Sequence, residues 1–136
     1  MFKRRKKKAN DENWDKENIL NIDVSGKSYQ EAIAIAQEHI GDFIEMFEGS
    51  ELTLFKCFIK AKFEDEKHIE HLWLEPISFI DDVFTATVGN VPDNLTNIKY
   101  QDVVQVKKED VEDWIVSMAE GTMIGNFIYN ATQGKK

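Results

Sequence analysis

The chain has 136 residues, enough for one domain around one core, and its 42% hydrophobic and 31% charged residues are ordinary for a globular protein. No apolar run approaches the roughly 18 residues that cross a bilayer, and a single cysteine, Cys57, excludes an internal disulfide. The formal net charge of −8 becomes −14 once the six cations Lys3, Arg4, Arg5, Lys6, Lys7 and Lys8 are set aside, a poor match for DNA or RNA phosphates.

The basic start is followed by polar Asn10-Asp11-Glu12-Asn13 where a signal peptide needs an apolar stretch, so a cytoplasmic location is expected. Residues 1–18 predict a disordered basic and polar tail, and residues 19–136 a single domain. Ile19 to Val24 alternates like a short strand or extended lead-in. Ser28-Tyr29-Gln30-Glu31 then has the Ser-x-x-Glu pattern of a capping box. Behind it Ile33, Ala36, Ile40, Phe43, Ile44 and Phe47 recur at helical spacing, predicting one amphipathic helix to about Glu48, with Gly49 as its terminator.

From Leu52 the period changes to two. Thr53, Phe55, Cys57, Ile59, Ala61 and Phe63 share one side, and Lys56, Lys60 and Lys62 the other, with Phe58 among the lysines. A turn at Glu64-Asp65-Glu66-Lys67 predicts a hairpin with His68 to Glu75. In that register Phe58 lies opposite Trp73, Lys60 opposite His71 and Lys56 opposite Glu75. Pro76 is expected to end the strand. Further strands are predicted at Val83 to Val88, Asp102 to Val106 and Val111 to Met118, with a final reversal at Ala119 to Thr122 into Met123 to Ile128. The class is α+β: one N-terminal amphipathic helix on a curved, mainly antiparallel sheet or small barrel of about five to six strands.

The order and spacing of several short segments carry a resemblance. They are Glu70-His71-Leu72-Trp73-Leu74, Gly89-Asn90-Val91-Pro92, Asp102-Val103-Val104, Asp113-Trp114 and Gly125. Together they resemble the YegJ-like bacterial proteins with domain of unknown function 2314, over roughly residues 30 to 130. The resemblance implies a fold and no biochemical activity. Ala86 and Gln101 stand where the family's pattern leads one to expect glycine.

The chemistry-bearing residues point away from catalysis. His68 and His71, three apart on a strand, face opposite sides of a sheet, so no metal site is expected. Cys57, mid-strand on the apolar side, reads as a buried inert thiol. No nucleophile elbow or phosphate-cradling glycine loop is present, and no cofactor is expected. Glu70, Glu75, Asp102, Asp110 and Asp113 are the carboxylates from which an acid–base pair would come.

Glu70 with Trp73, and Asp113 with Trp114, pair an aromatic ring with an acid, as recognition surfaces do, although core packing is the commoner use of such a ring and is favoured here for Trp73. Asp113 would then tie the loop at Lys107 to Asp110. His71 would be held by Lys60 and a neighbouring carboxylate. The candidate binding residues are therefore Glu70, His71, Trp73, Asn90, Asp113 and Trp114.

The function expected is binding, through an acidic surface that meets a basic protein, one version being an immunity-type protein that neutralises a toxin. Two alternatives remain: membrane or RNA contact through Lys3 to Lys8, and a small hydrolase-like enzyme using Glu70, His71 and Asp113.

Overall fold

The computed structural model describes residues 22–49 and 55–133. Two consecutive helices, α1 (Tyr29–Glu38) and α2 (Ile40–Gly49), precede strands β1 (Phe55–Glu64), β2 (Ile69–Ile80), β3 (Val83–Val88), β4 (Val103–Lys107), β5 (Asp113–Met118) and β6 (Met123–Gly125). A short helix α3 (Phe127–Gln133) follows, and a single 3-10 turn spans Lys108–Asp110. The strands form one antiparallel sheet in the order β4-β3-β2-β1-β5-β6, open at both edges. The class is α+β, but the sheet is not closed into a barrel and the helices number more than one.

Alternation along the strands sorts side chains to two faces. Cys57, Ile59 and Ala61, Leu72 and Leu74, Phe84, Ala86 and Val88, Val106, Trp114 and Val116 are buried on one face, with Ala32, Ala36, Ile40 and Phe43 of the helices in the same core. The core is knit by rings: Phe43 lies 5.3 Å from Trp114 and 5.9 Å from Phe84. Phe127 meets Trp114 edge-on at 5.4 Å. The other face carries Lys56, Phe58, Lys60 and Lys62, Trp73, Thr85 and Thr87, Gln105, Ile115 and Ser117, all exposed or half-buried.

The capping box forms as the sequence indicates: Glu31 N–H donates to Ser28 Oγ and Ser28 N–H to Glu31 Oε1. The single predicted helix is broken at His39, whose backbone leaves the helical region (φ −108°, ψ 16°). Its ring stacks on Phe127 and lies 3.2 Å from the Asp42 carboxylate, so a contact from the far end of the chain overrides a continuous apolar stripe.

The hairpin register is two residues away from the predicted one. Lys60 is opposite Trp73, Lys62 opposite His71 and Ile59 opposite Leu74, because Glu64 stays in the strand and the turn is Asp65 to His68. A two-residue shift keeps every side chain on its face. Pro76 does not end β2, which continues to Ile80 through a register shift between Pro76 and Ser78, the bulge that accommodates a residue without an N–H.

Strand β5 starts at Asp113 rather than Val111, and Phe127 and Ile128, expected to be extended, open α3. Ile22 to Val24 has no regular structure; the rest of the strand predicted from Ile19, and the start of the sheet at Leu52 and Thr53, lie outside the described residues. Of the two positions where glycine was expected, Gln101 adopts φ +75°, a left-handed conformation that glycine takes without strain, and Ala86 is fully buried in β3.

Candidate functional site

Most of the polar residues singled out from the sequence hold backbone together. Glu70, near the start of β2, accepts N–H bonds from Asp93 (2.9 Å), Asn94 and Leu95 (3.2 Å) in the β3–β4 connection. These donors hold its carboxyl below the usual range, the Asp93 N–H first. Asp65 in the hairpin turn does likewise, accepting from Lys67, His68 and Thr96, and is drawn down from its ordinary 3.8 to about 2, chiefly by the Lys67 N–H. Asn90 Oδ1 accepts the Trp73 N–H at 2.7 Å, while the Gly89 N–H donates to Trp73 O at 2.8 Å. The loop thus continues the ladder where β3 has ended.

Asp113 is the one polar residue among the described buried set. It does not tie the loop at Lys107 to Asp110. Its Oδ1 accepts from Trp114 N–H (2.9 Å) and Phe127 N–H (3.0 Å), and its Oδ2 from Ile128 N–H (2.9 Å). A carboxylate on β5 therefore caps the first turn of α3, where the orphan amides and the helix dipole both favour negative charge. Burial raises its pKa, opposed by those three amides.

Of the two tryptophans, Trp114 and not Trp73 fills the core. Trp114 is fully buried, with its Nε1–H donating to Ala36 O at 3.1 Å. Trp73 is not core: it lies half-buried on the uncovered face, with Lys60 Nζ 5.5 Å from its ring centre. His71 is not held by Lys60. Its Nδ1 is 2.7 Å from Glu112 Oε1 and 3.2 Å from the Tyr29 hydroxyl, which joins the N-terminus of α1 to β2 and the entry of β5. Burial, then the Glu112 charge, raises the Tyr29 pKa. Tyr29 and Glu112 carry no motif in the sequence; only tertiary folding brings them to His71.

Glu70, His71 and Asp113 thus serve three separate networks, and the hydrolase-like triad shares no hydrogen bond. Lys3, Arg4, Arg5, Lys6, Lys7 and Lys8 lie outside the described residues. Cys57 is buried, and burial pushes its thiol up to about 11, far from a reactive thiolate.

Besides a groove of about 520 Å³ between α1 and the 3-10 turn, lined by Gln30, Ile33 and Glu112, the uncovered sheet face forms a groove of about 440 Å³ where it meets α3, and this second groove is the one with exposed rings. Trp73, Ile115, Met123 and Tyr129 make its apolar wall, and Lys60 supplies a cation over the buried Asp113. Tyr129 and Met123 are 56% and 50% exposed. Such a surface fits recognition, where rings supply area and a few charges supply orientation.

Comparison with known proteins gives family membership and no activity. Residues 26–135 match the model described as "Uncharacterized protein conserved in bacteria (DUF2314)". The uncharacterized protein YegJ of Escherichia coli is 28% identical over 69% of this chain and 60% of its own length. A putative ankyrin repeat protein of Neisseria meningitidis serogroup B is 31% identical over 53% of this chain and 28% of its own. The chain therefore spans about three fifths of the first of these curated relatives and under a third of the second. No solved structure matches. With the family model covering nearly all of the helices and sheet described above, the chain belongs to the DUF2314 family of bacterial proteins.

Proposed function

We propose that the chain is a protein-binding module without catalytic turnover, and that its helical layer is the contact surface for a basic protein partner. The observation that carries this reading is the segregation of charge. Helices α1 and α2 bear Glu31, Glu38, Asp42, Glu45 and Glu48 and not one lysine or arginine. A surface of one sign steers an oppositely charged partner and fixes its orientation. Catalysis is disfavoured because Glu70 and Asp113, the two carboxylates a hydrolase-like reading requires beside His71, are engaged with main-chain amides. A small acidic protein that covers a basic toxin, as immunity-type proteins do, is the concrete version.

The test uses the full chain as bait in native lysate, alongside the Glu38→Lys/Glu48→Lys variant. The expected result is a basic protein captured at low salt, released at high salt and absent from the variant. Equal capture by both baits, or no salt-sensitive partner, overturns the reading.

A further inference from the structure

We propose that the uncovered sheet face is a second docking surface, taking an extended polypeptide segment of alternating acidic and apolar side chains. The argument begins with charge. The chain carries −8 overall, yet Lys56, Lys60 and Lys62 stand on the same side of one strand, and among the described residues none of them forms an ion pair. Successive same-face positions on a strand repeat at about 6.8 Å, twice the rise per residue. An extended peptide has that same repeat, so same-face acidic side chains come into step with Lys60 and Lys62 and, one position past Phe58, with Lys56, while an apolar side chain meets Phe58.

The apolar component is also present. The groove beside α3 holds Trp73, Ile115, Met123 and Tyr129, with large parts of Met123 and Tyr129 in contact with water. An aliphatic side chain entering it covers the Trp73 ring beneath Lys60, and desolvation strengthens the lysine–carboxylate contact at the rim. A nucleic-acid strand fits less well. Glu64 and Glu75 lie on this face by alternation, both exposed, and a polymer with a phosphate at every step meets them as well as the lysines. A peptide can set neutral residues there.

The experiment titrates the full chain with a short synthetic peptide of alternating glutamate and valine, read by tryptophan fluorescence, with Trp73→Phe identifying the responding ring. Parallel titrations use a lysine–valine peptide and a single-stranded oligothymidylate. The expected result is saturable binding of the glutamate peptide alone, weakened about tenfold or more in Lys60→Glu and in exposed Lys56→Glu, each with an unchanged circular dichroism spectrum. Binding should be unaffected in Glu38→Lys/Glu48→Lys, since the two surfaces share no residue, so either proposal can fail alone. Tighter binding of oligothymidylate, equal binding of the lysine peptide, no binding of any probe, or an apolar face that is instead covered by self-association of the chain overturns the proposal.

Discussion

Replacing Asp113 tests the joint between sheet and C-terminal helix. Helix α3 has seven residues, far below the roughly 12–15 at which an isolated helix becomes marginally stable, so tertiary contacts must hold it. Asp113→Ala removes the acceptor of three amides, those of Trp114, Phe127 and Ile128. A buried donor left without a partner costs about 1–3 kcal/mol. The buried carboxyl is itself destabilised as an anion, which offsets part of the loss. The net expectation is about 2–5 kcal/mol, a large share of the stability of a small domain.

Asp113→Asn keeps an oxygen at the Oδ1 position, and with it two of the three bonds. Its amide group then confronts the Ile128 N–H, donor against donor, for a cost of about 1–2 kcal/mol. Urea unfolding at neutral pH, followed by tryptophan fluorescence, should rank wild type above Asn above Ala. Hydrogen exchange at Phe127 and Ile128 should accelerate in the same order. An alanine variant within about 0.5 kcal/mol of wild type, or an asparagine variant less stable than alanine, would refute the cap as described.

Gly125→Ala is expected to cost about 3 kcal/mol or more, because φ is +95° and the new Cβ would stand 2.2 Å from Trp114 O; near-ultraviolet circular dichroism of Trp114 should change with it. Asn90→Ala should lose about 1 kcal/mol through the unpaired Trp73 N–H, whereas Asn90→Asp, which keeps the acceptor, should lose less than half of that in the same urea assay. Gln101→Gly, at φ +75°, should be neutral or stabilising by up to about 1 kcal/mol, as a thermal melt would reveal. For pH, Asp65 has a folded pKa depressed from 3.8 to about 2, so its contribution is complete above 3.8 and is lost as pH falls through about 2, with Glu70 acting in the same direction. Asp113, shifted upward, acts in the opposite sense: it favours folding most at low pH and less as pH rises through its raised value. Acid titration of Asp65→Asn should therefore show a shallower loss of stability between about pH 4 and 2 than wild type.

Local chemistry was readable where it acts locally. Ser28 and Glu31 sit three residues apart and cap α1, and the alternation of Cys57, Ile59 and Ala61 against Lys56, Lys60 and Lys62 assigns faces without knowledge of the partner strand. The helix break at His39 was hidden because Phe127, which its ring stacks on, comes from α3. The start of α3 was hidden for a related reason: its cap is Asp113, on β5, while Asn126 directly before it, a residue type that often caps, sits at φ +60° instead of the extended capping conformation. The hairpin register erred by two because parity constrains faces but not offsets. Of the candidate site, Trp73 and Asp113 come together at the groove with Lys60, while Glu70 and Asn90 serve the loop. Met123 and Tyr129, which complete the groove, lie on β6 and α3, at the end of the chain where the alternation assigns no face.

Residues 89–102 make a long connection without regular structure, ordinarily the first segment a protease attacks. Here cleavage would require that stretch to peel away from the Glu70 and Asp65 carboxylates and from the Asn90 clasp on β2. Neutralising both acids undoes two of those three fastenings at once. A digest at neutral pH should spare this connection, and brief exposure to an acid protease should nick it while the sheet itself survives.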